Sequence, residues 1–255
     1  MTTCKNCGHQ FELEYCNKCG QKASVKRIEL KWLLDELPHA IWHIEKGFLY
    51  NVKQLFKRPG QSVNDFLEGK RKPFFNPLTY LVILMFINYI VMWITDFKYY
   101  DETELLNMSA EKATEVKGYH KVNWWIVEHS YYYMLIAIPV TGIFLFLFLH
   151  TIKKKYNIAE TTIMALFITA QCILIQSIIY FITGWVRNGE FIRTVDFVTM
   201  CLWALYNSFT IYQIINPGRL KFVFTILSLA AGGVMVLLLL RSAFWVVYLK
   251  DYFAN

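Results

Sequence analysis

The sequence predicts an all-α polytopic membrane protein with about five transmembrane helices. Three observations carry that expectation. Apolar residues make up 56% of the 255-residue chain and charged residues 18%, against roughly 45–50% and about 25% in soluble domains. The excess lies in five long stretches, each near the roughly 20 residues that cross about 30 Å of hydrocarbon as a helix. None of them alternates with a period of two, so they read as helices, which pair their own backbone groups, and not as barrel strands. The same composition rules out intrinsic disorder, a collagen-like repeat and a secreted disulfide scaffold.

The first span, near 77–95, reads PLTYLVILMFINYIVMWIT without a charge, and the second, near 131–149, reads YYYMLIAIPVTGIFLFLFL with Pro139 inside it. The third, near 161–185, carries Gln171 and Gln176, and the fourth, near 197–215, carries Asn207, Ser208, Thr210 and Gln213. The fifth begins near Phe222. It either stops at Leu240, letting Arg241 snorkel outward, or runs tilted to 249 with Arg241 inside it. Together these make a transmembrane domain over 77–249, with a connecting loop at 96–130.

Charge placement sets the expected orientation. Residues 1–76 carry 13 Lys and Arg against 8 acids, whereas the 96–130 loop carries 4 Lys against 7 acids. Lys153, Lys154 and Lys155 follow the second span, and Arg219 and Lys221 follow the fourth. Basic loops face the cytoplasm. A cytoplasmic N-terminus and an exported C-terminus are the expectation. The first apolar run begins near residue 77, too late for a cleaved signal peptide. The net charge of +7 is best matched by anionic head groups; nucleic acid is disfavoured, because the head carries Glu12 and Glu14 among its cations.

The chain opens MTTCKNCGHQFELEYCNKCGQK. Cys4, Cys7, Cys16 and Cys19 form the pattern C-x2-C-x8-C-x2-C, with Gly8 and Gly20 directly after the pairs. A two-residue spacing lets a tight turn present both sulfurs to one ion, and the glycine lets backbone N–H groups approach the sulfur. Four thiolates select zinc or a single iron, and a low-charge structural site favours zinc. A zinc-ribbon knuckle over 1–22 is expected, with a closed coordination sphere and so no catalytic role for the metal. A redox dithiol and disulfides are the competing readings; the second requires an exported head. Cys172 and Cys201 read as small buried apolar residues within spans.

Residues 26–76 form a juxtamembrane collar. From Ile28 to Ile44 apolar residues recur at spacings of three and four, as in an amphipathic helix interrupted by Pro38. A short helix from Phe48 to Phe56 is expected to break at Pro59-Gly60. Ser62 then caps a further turn, Asp65 places negative charge near its positive end, and Gly69 ends it. Lys57, Arg58, Lys70, Arg71 and Lys72 beside Phe74 and Phe75 suit the head-group zone and are candidates for lipid phosphate contact.

The combination of CKNCG and YCNKCGQ with KRPGQSVNDFLEGKRKPFFNP and several spans resembles a family of uncharacterised membrane proteins common in Bacteroidetes. Its members carry an N-terminal zinc-ribbon knuckle ending in Cys-Gly-Gln and a Pro-Gly, Gly-Lys-Arg, Asn-Pro run before the first span. Gly20 and Gln21, Pro59 and Gly60, Gly69 to Arg71, and Asn76 with Pro77 occupy that pattern. The resemblance covers residues 4–80 and implies a bacterial inner-membrane location, not an activity.

Intramembrane polar residues are costly and so are candidate sites. Gln171 and Gln176 lie about 140° apart around a helix, whereas Asn207 and Thr210 share a face from which a hydrogen bond could reach the third span. The 96–130 loop holds Glu111, Glu115, His120, Glu128 and His129 without a metal-ligand spacing, and no nucleotide or hydrolase motif occurs. The function expected is an accessory or interaction role, in which the metal-stabilised cytoplasmic head docks a protein partner or organises the cytosolic face. A small-molecule or lipid transporter or channel, and a membrane enzyme acting on a lipid-like substrate, are the alternatives.

Overall fold

A computed structural model describes residues 1–29, 31–32, 47–96, 130–152, 155–186 and 188–215, with isolated positions between 106 and 117. Most of the amphipathic stretch expected from Ile28 to Ile44, nearly all of the connecting loop, and the fifth span with Arg241 lie outside the described residues. Among those described, the order is β1 (Thr2–Thr3), β2 (Gln10–Phe11), α1 (Phe48–Lys57), α2 (Pro59–Leu67), α3 (Pro77–Ile94), α4 (Ser130–Ile152), α5 (Ile158–Thr183) and α6 (Gly189–Ile215). The chain is mostly helical. Among the described residues three stretches are long and apolar enough to cross a membrane: Pro77–Ile94, Ile158–Thr183 and Glu190–Ile215; Ile136–His150 is a shorter apolar one. At 1.5 Å per residue the first is about 27 Å long and the other two about 39 Å.

Asparagine caps set the helix starts. Asn76 Oδ1 accepts the Leu78 and Thr79 N–H groups at 2.9 and 3.3 Å, and Pro77, which has no N–H to satisfy, takes the first helical position. Asn157 and Glu160 cap each other reciprocally: the Glu160 N–H donates to Asn157 Oδ1 at 2.8 Å and the Asn157 N–H to Glu160 Oε2 at 2.9 Å. This is a capping box with asparagine as its first member. Asn188 Oδ1 likewise accepts the Phe191 N–H at 2.8 Å. These caps start the third and fourth expected spans earlier than their apolar runs do. Glu190 and Asp196 therefore lie within α6 and not in a connection.

The break between α1 and α2 falls at Arg58, one residue before the expected Pro59-Gly60, and Pro59 itself opens α2. Two further expectations fail around residue 60. Ser62 is buried inside that helix, where its hydroxyl donates to Arg58 O at 2.8 Å, and Asp65 lies too far along α2 to meet its positive end. Proline is pre-shaped for a helix start, which is why it stands at the opening of α2. Gly69 does follow the helix end, at φ +105°.

The chain divides into two compact units. The first comprises Met1–Leu84, Ile136–Gln171 and Phe209–Asn216. Its centre is aromatic: Phe66 meets Phe74 and Phe167 edge-to-face at 5.9 and 5.2 Å, and Phe48 meets Phe75 and Tyr80 at 6.0 and 5.3 Å. Burying each such ring stabilises by about 1.5–3 kcal/mol, with about 0.5–1.5 kcal/mol more per well-oriented pair. Asn51, fully buried on α1, lies beside this cluster. Its Oδ1 accepts the Phe75 N–H at 3.0 Å and its Nδ2 donates to Phe75 O at 3.2 Å, as a paired strand would. Asn51→Ala orphans both backbone groups; we expect a loss of about 2–4 kcal/mol, two buried bonds at about 1–2 kcal/mol each, read as a lowered Tm in detergent.

The second unit comprises Met85–Leu135, Cys172–Ser208 and Pro217–Asn255. Met92, Tyr180 and Ile192 form its buried cluster. Tyr180 Oη donates to Asp196 Oδ1 at 2.6 Å and Asn88 Nδ2 to Ser177 Oγ at 3.1 Å. Phe86, Trp93, Ile182, Phe197 and Leu205 are exposed on these helices. Apolar surface of that extent suits lipid and not water. Cys201, expected to be buried, is exposed. It lies on an outward face of α6, whereas Cys172 faces inward.

Candidate metal centre

The four N-terminal cysteines converge. Their sulfurs all lie within 4.8 Å of one another. Cys4 Sγ is 3.5 Å from Cys19 Sγ, and Cys7 Sγ is 3.6 Å from Cys16 Sγ. Metal–sulfur bonds of about 2.3 Å in a tetrahedron imply sulfur–sulfur edges of about 3.8 Å. A disulfide would need about 2.05 Å, and all four cysteines are free. The set can hold a metal ion.

Two turns of the same design build it, twelve residues apart. In each, the glycine N–H returns to the first cysteine's carbonyl: Gly8 to Cys4 at 2.9 Å and Gly20 to Cys16 at 2.7 Å. In each, the first cysteine's N–H bonds the residue after the glycine: Cys4 to His9 O at 2.9 Å and Cys16 to Gln21 O at 2.8 Å. Both glycines sit at φ +72°, the left-handed region that a side chain disfavours. The β1–β2 pair closes the first turn and the Tyr15–Lys22 bridge closes the second.

The thiols share their protons unevenly. Burial pushes the Cys19 thiol up, but the Asn6 side chain, the Gln21 backbone N–H and the neighbouring thiols outweigh it and bring the thiol down to about 6. Cys19 is therefore a thiolate at neutral pH, ready for a cation. At Cys7 the His9 backbone lowers the pKa, yet desolvation and the surrounding thiols prevail and raise it to about 12. A metal must displace that proton, so binding weakens as pH falls.

The head is tied to the collar. Gln21, buried, accepts the Lys72 N–H at 2.9 Å. Arg71 Nη2 donates to Lys26 O at 2.9 Å, and its guanidinium lies over the Trp32 and Phe66 rings at 5.4 and 5.6 Å. Lys5, inside the first metal turn, donates to Val25 O at 2.9 Å. These two side chains cover Gly69 so closely that a Cβ there would stand 2.8 Å from Lys5 Cδ and 3.1 Å from Val25 Cγ1. Beyond the head, Arg27 grips Glu160 with two bonds of 2.8 Å and reaches Lys155 O at 2.7 Å. Hydrogen bonding and the charge of Glu160 raise the Arg27 pKa further.

The five collar cations expected at lipid phosphates are therefore not equivalent. Arg58 binds Gln54 Oε1 at 2.7 Å and Asp65 at 3.4 Å. Lys70 pairs with Asp65 at 2.5 Å, and that contact raises its pKa. Arg71 is used on the head and the aromatic rings. Lys57 and Lys72 are exposed.

Among the expected intramembrane residues, Gln171 is fully buried. Its Oε1 accepts Tyr80 Oη at 2.8 Å, while its Nε2 has no partner among the described residues. Gln176 is half-buried. Asn207 donates to Trp203 O at 2.7 Å and reaches Cys172 Sγ, on α5, at 3.6 Å. Thr210 is buried with its carbonyl against Gly60. Gln213, on the same helix, accepts the Gly60 N–H at 3.0 Å, so a glutamine of α6 satisfies a backbone donor in the first turn of α2. Sequence reasoning missed Asn51, Asn64 and Asn157. Only Asn157 had a signal, its three-residue spacing from Glu160.

Residues 45–88 match the profile of DUF3667, described as a protein of unknown function. A DUF3667 domain is present. It runs from just before α1 through α2 and Lys70–Lys72 into α3, and so contains Asn51, Gly60, Gly69 and the Asn76–Pro77 cap. The four cysteines lie outside the DUF3667 match. No curated protein and no solved structure matches the chain.

Proposed function

We propose that this chain is a bacterial inner-membrane accessory protein whose zinc-stabilised head organises the cytosolic face of a five-helix bundle. One observation carries the reading: the metal turns are built into the collar, through Gln21 to Lys72, Lys5 over Gly69, and Arg71 to Lys26. A detached knuckle on a tether would serve recruitment alone. A knuckle locked to helix ends fixes a surface on which a protein partner can dock. Zinc is favoured because four thiolates close the coordination sphere and supply a small unit with its folding energy. The cation excess of residues 1–76 supports a cytosolic head, and the apolar run from Phe222 supports a fifth span with an exported C-terminus.

The test is chelation of full-length protein in nanodiscs. Hydrogen exchange across Phe48–Phe75 is expected to rise with exchange in the head. Exchange confined to residues 1–22 would sink the organising role. Impermeant thiol reagents applied to metal-stripped protein in inverted and right-side-out vesicles report the orientation.

The transport reading is favoured by Gln171, whose Nε2 lacks a partner among the described residues. Under the accessory reading the Tyr80–Gln171 pair is structural. Tyr80→Phe with Gln171→Met then removes both polar groups together and leaves Tm within a few degrees of the parent or raises it. Reaction of Gln171→Cys with an impermeant thiol reagent, with Cys172 and Cys201 replaced by alanine, would instead support a water-filled path.

A further inference from the structure

Within the first unit, a half-open cleft of about 330 Å³ is lined by Lys5, Lys26, Arg27, Lys155, Tyr156 and Glu160, with Asn64, Leu67, Glu68 and Gly69 completing it. Its volume is at the lower end of small-ligand sites, which run about 300–1,000 Å³. Four cations face two carboxylates, and the carboxylates are already engaged. Glu160 is held by Arg27 and by its own helix cap, and Glu68 lies 3.5 Å from Lys155. That leaves a positive remainder on Lys5 and Lys26. Among the described residues Lys26 has no acidic partner; only its carbonyl is used, by Arg71. The Tyr156 hydroxyl donates to Asn64 Oδ1 at 3.0 Å. Burial and the nearby Glu68 and Glu160 raise its pKa to about 12, so it adds no negative charge.

We infer that this cleft binds a phosphate-bearing anion, and that the ligand is the head group of an anionic phospholipid. Converging ammonium and guanidinium groups recognise phosphate oxygens. A divalent cation is opposed, because Glu160 would first have to leave Arg27. A nucleic-acid strand or acidic peptide needs an extended groove, and this one has room for a single head group. The lipid source is favoured by position. The cleft lies at the first turn of α5, a candidate span, and the exposed apolar Ile158 follows one residue after Asn157. An acyl chain can run along α5 from there. One wall of the cleft, Lys5, belongs to the first metal turn, so the inference deepens the proposed organising role by naming what the organised face holds.

The experiment uses the full-length, metal-loaded protein in detergent, with fluorescent dioleoyl phosphatidic acid and the matching phosphatidylcholine as probes. About one phosphatidic acid per chain is expected to bind, with phosphatidylcholine at least tenfold weaker. Lys26→Glu is expected to weaken phosphatidic acid at least tenfold. Lys155→Glu provides a second variant, since its carbonyl bond to Arg27 is retained. Lys53→Glu, exposed on α1 outside the cleft, controls for general charge and is expected to change binding less than twofold. Displacement by millimolar glycerol 3-phosphate would support the phosphate site and assign it to a soluble ester. Equal losses in Lys53→Glu and Lys26→Glu, or no preference for phosphatidic acid, overturn the inference. Those failures leave the chelation result on the collar unaffected, so the two proposals fall separately.

Discussion

Cys16→Ser is expected to abolish metal binding and unfold the head while leaving the helices inserted. The head's buried cluster is Cys4, Phe11 and Cys16, with Cys7, Cys19 and Ala23 packed against it. Phe11, its one large side chain, contributes about 1.5–3 kcal/mol. Ordering each residue of the segment costs about 1–2 kcal/mol in backbone entropy. One ring cannot offset that cost, so metal binding contributes to the folding energy of the head. Metal content should fall from near one per chain to background, and the three remaining thiols should react with a thiol reagent without denaturant. Full stoichiometry in Cys16→Ser would mean that the cluster is not the metal site. By contrast, Gly8→Ala adds a Cβ with nothing within 4 Å and is disfavoured only by φ +72°. It should cost about 1–2 kcal/mol and retain metal.

Gly60→Ala is the second large effect, and it tests the collar without touching the metal. A Cβ at Gly60 would collide with Thr210 O and Gln213 Cβ and stand 2.7 Å from Ile214 N. Two of these are backbone atoms of α6, which cannot swing aside as a side-chain tip does. Overpacking typically costs about 1–3 kcal/mol and occasionally more; a clash with backbone belongs at the upper end. We expect a Tm loss of several degrees with metal content unchanged. Gln213→Leu removes only the cap on the buried Gly60 N–H and should cost about 1–3 kcal/mol. If Gly60→Ala is as stable as the parent, α2 does not seat against α6 as described.

What the sequence makes legible follows from how local the cause is. The cysteine spacing predicts a cluster because two-residue turns are self-contained, and the sulfurs do converge. The apolar runs predict α3, α5 and α6, although asparagine caps move two of the starts. Pro59 marks the break to within one residue, since the ring that cannot continue one helix is suited to open the next. The collar cations are legible as charges but not by their partners: Arg58, Lys70 and Arg71 also engage Asp65, Gln54 and the Lys26 carbonyl. Asn51 and Gln213 have no local signature. Their partners lie 24 and 153 positions away, and sequence periodicity carries no information at such range. The cleft is hidden for the same reason, because Lys5, Lys26 and Lys155 meet only after folding.

The bond between the Gly60 amide and Gln213 also bears on biogenesis. At roughly 5–20 residues per second, a ribosome needs about 8–30 seconds to travel the 153 positions between them. Through that interval the nascent chain carries the opening turn of α2 without its seat, and Arg27 waits nearly as long for Glu160. The seat of α2 can therefore close only after Gln213 has been made. Translation-arrested chains that stop before Thr210 should remain cleavable by protease near Pro59, and chains extended past Ile215 should become resistant there.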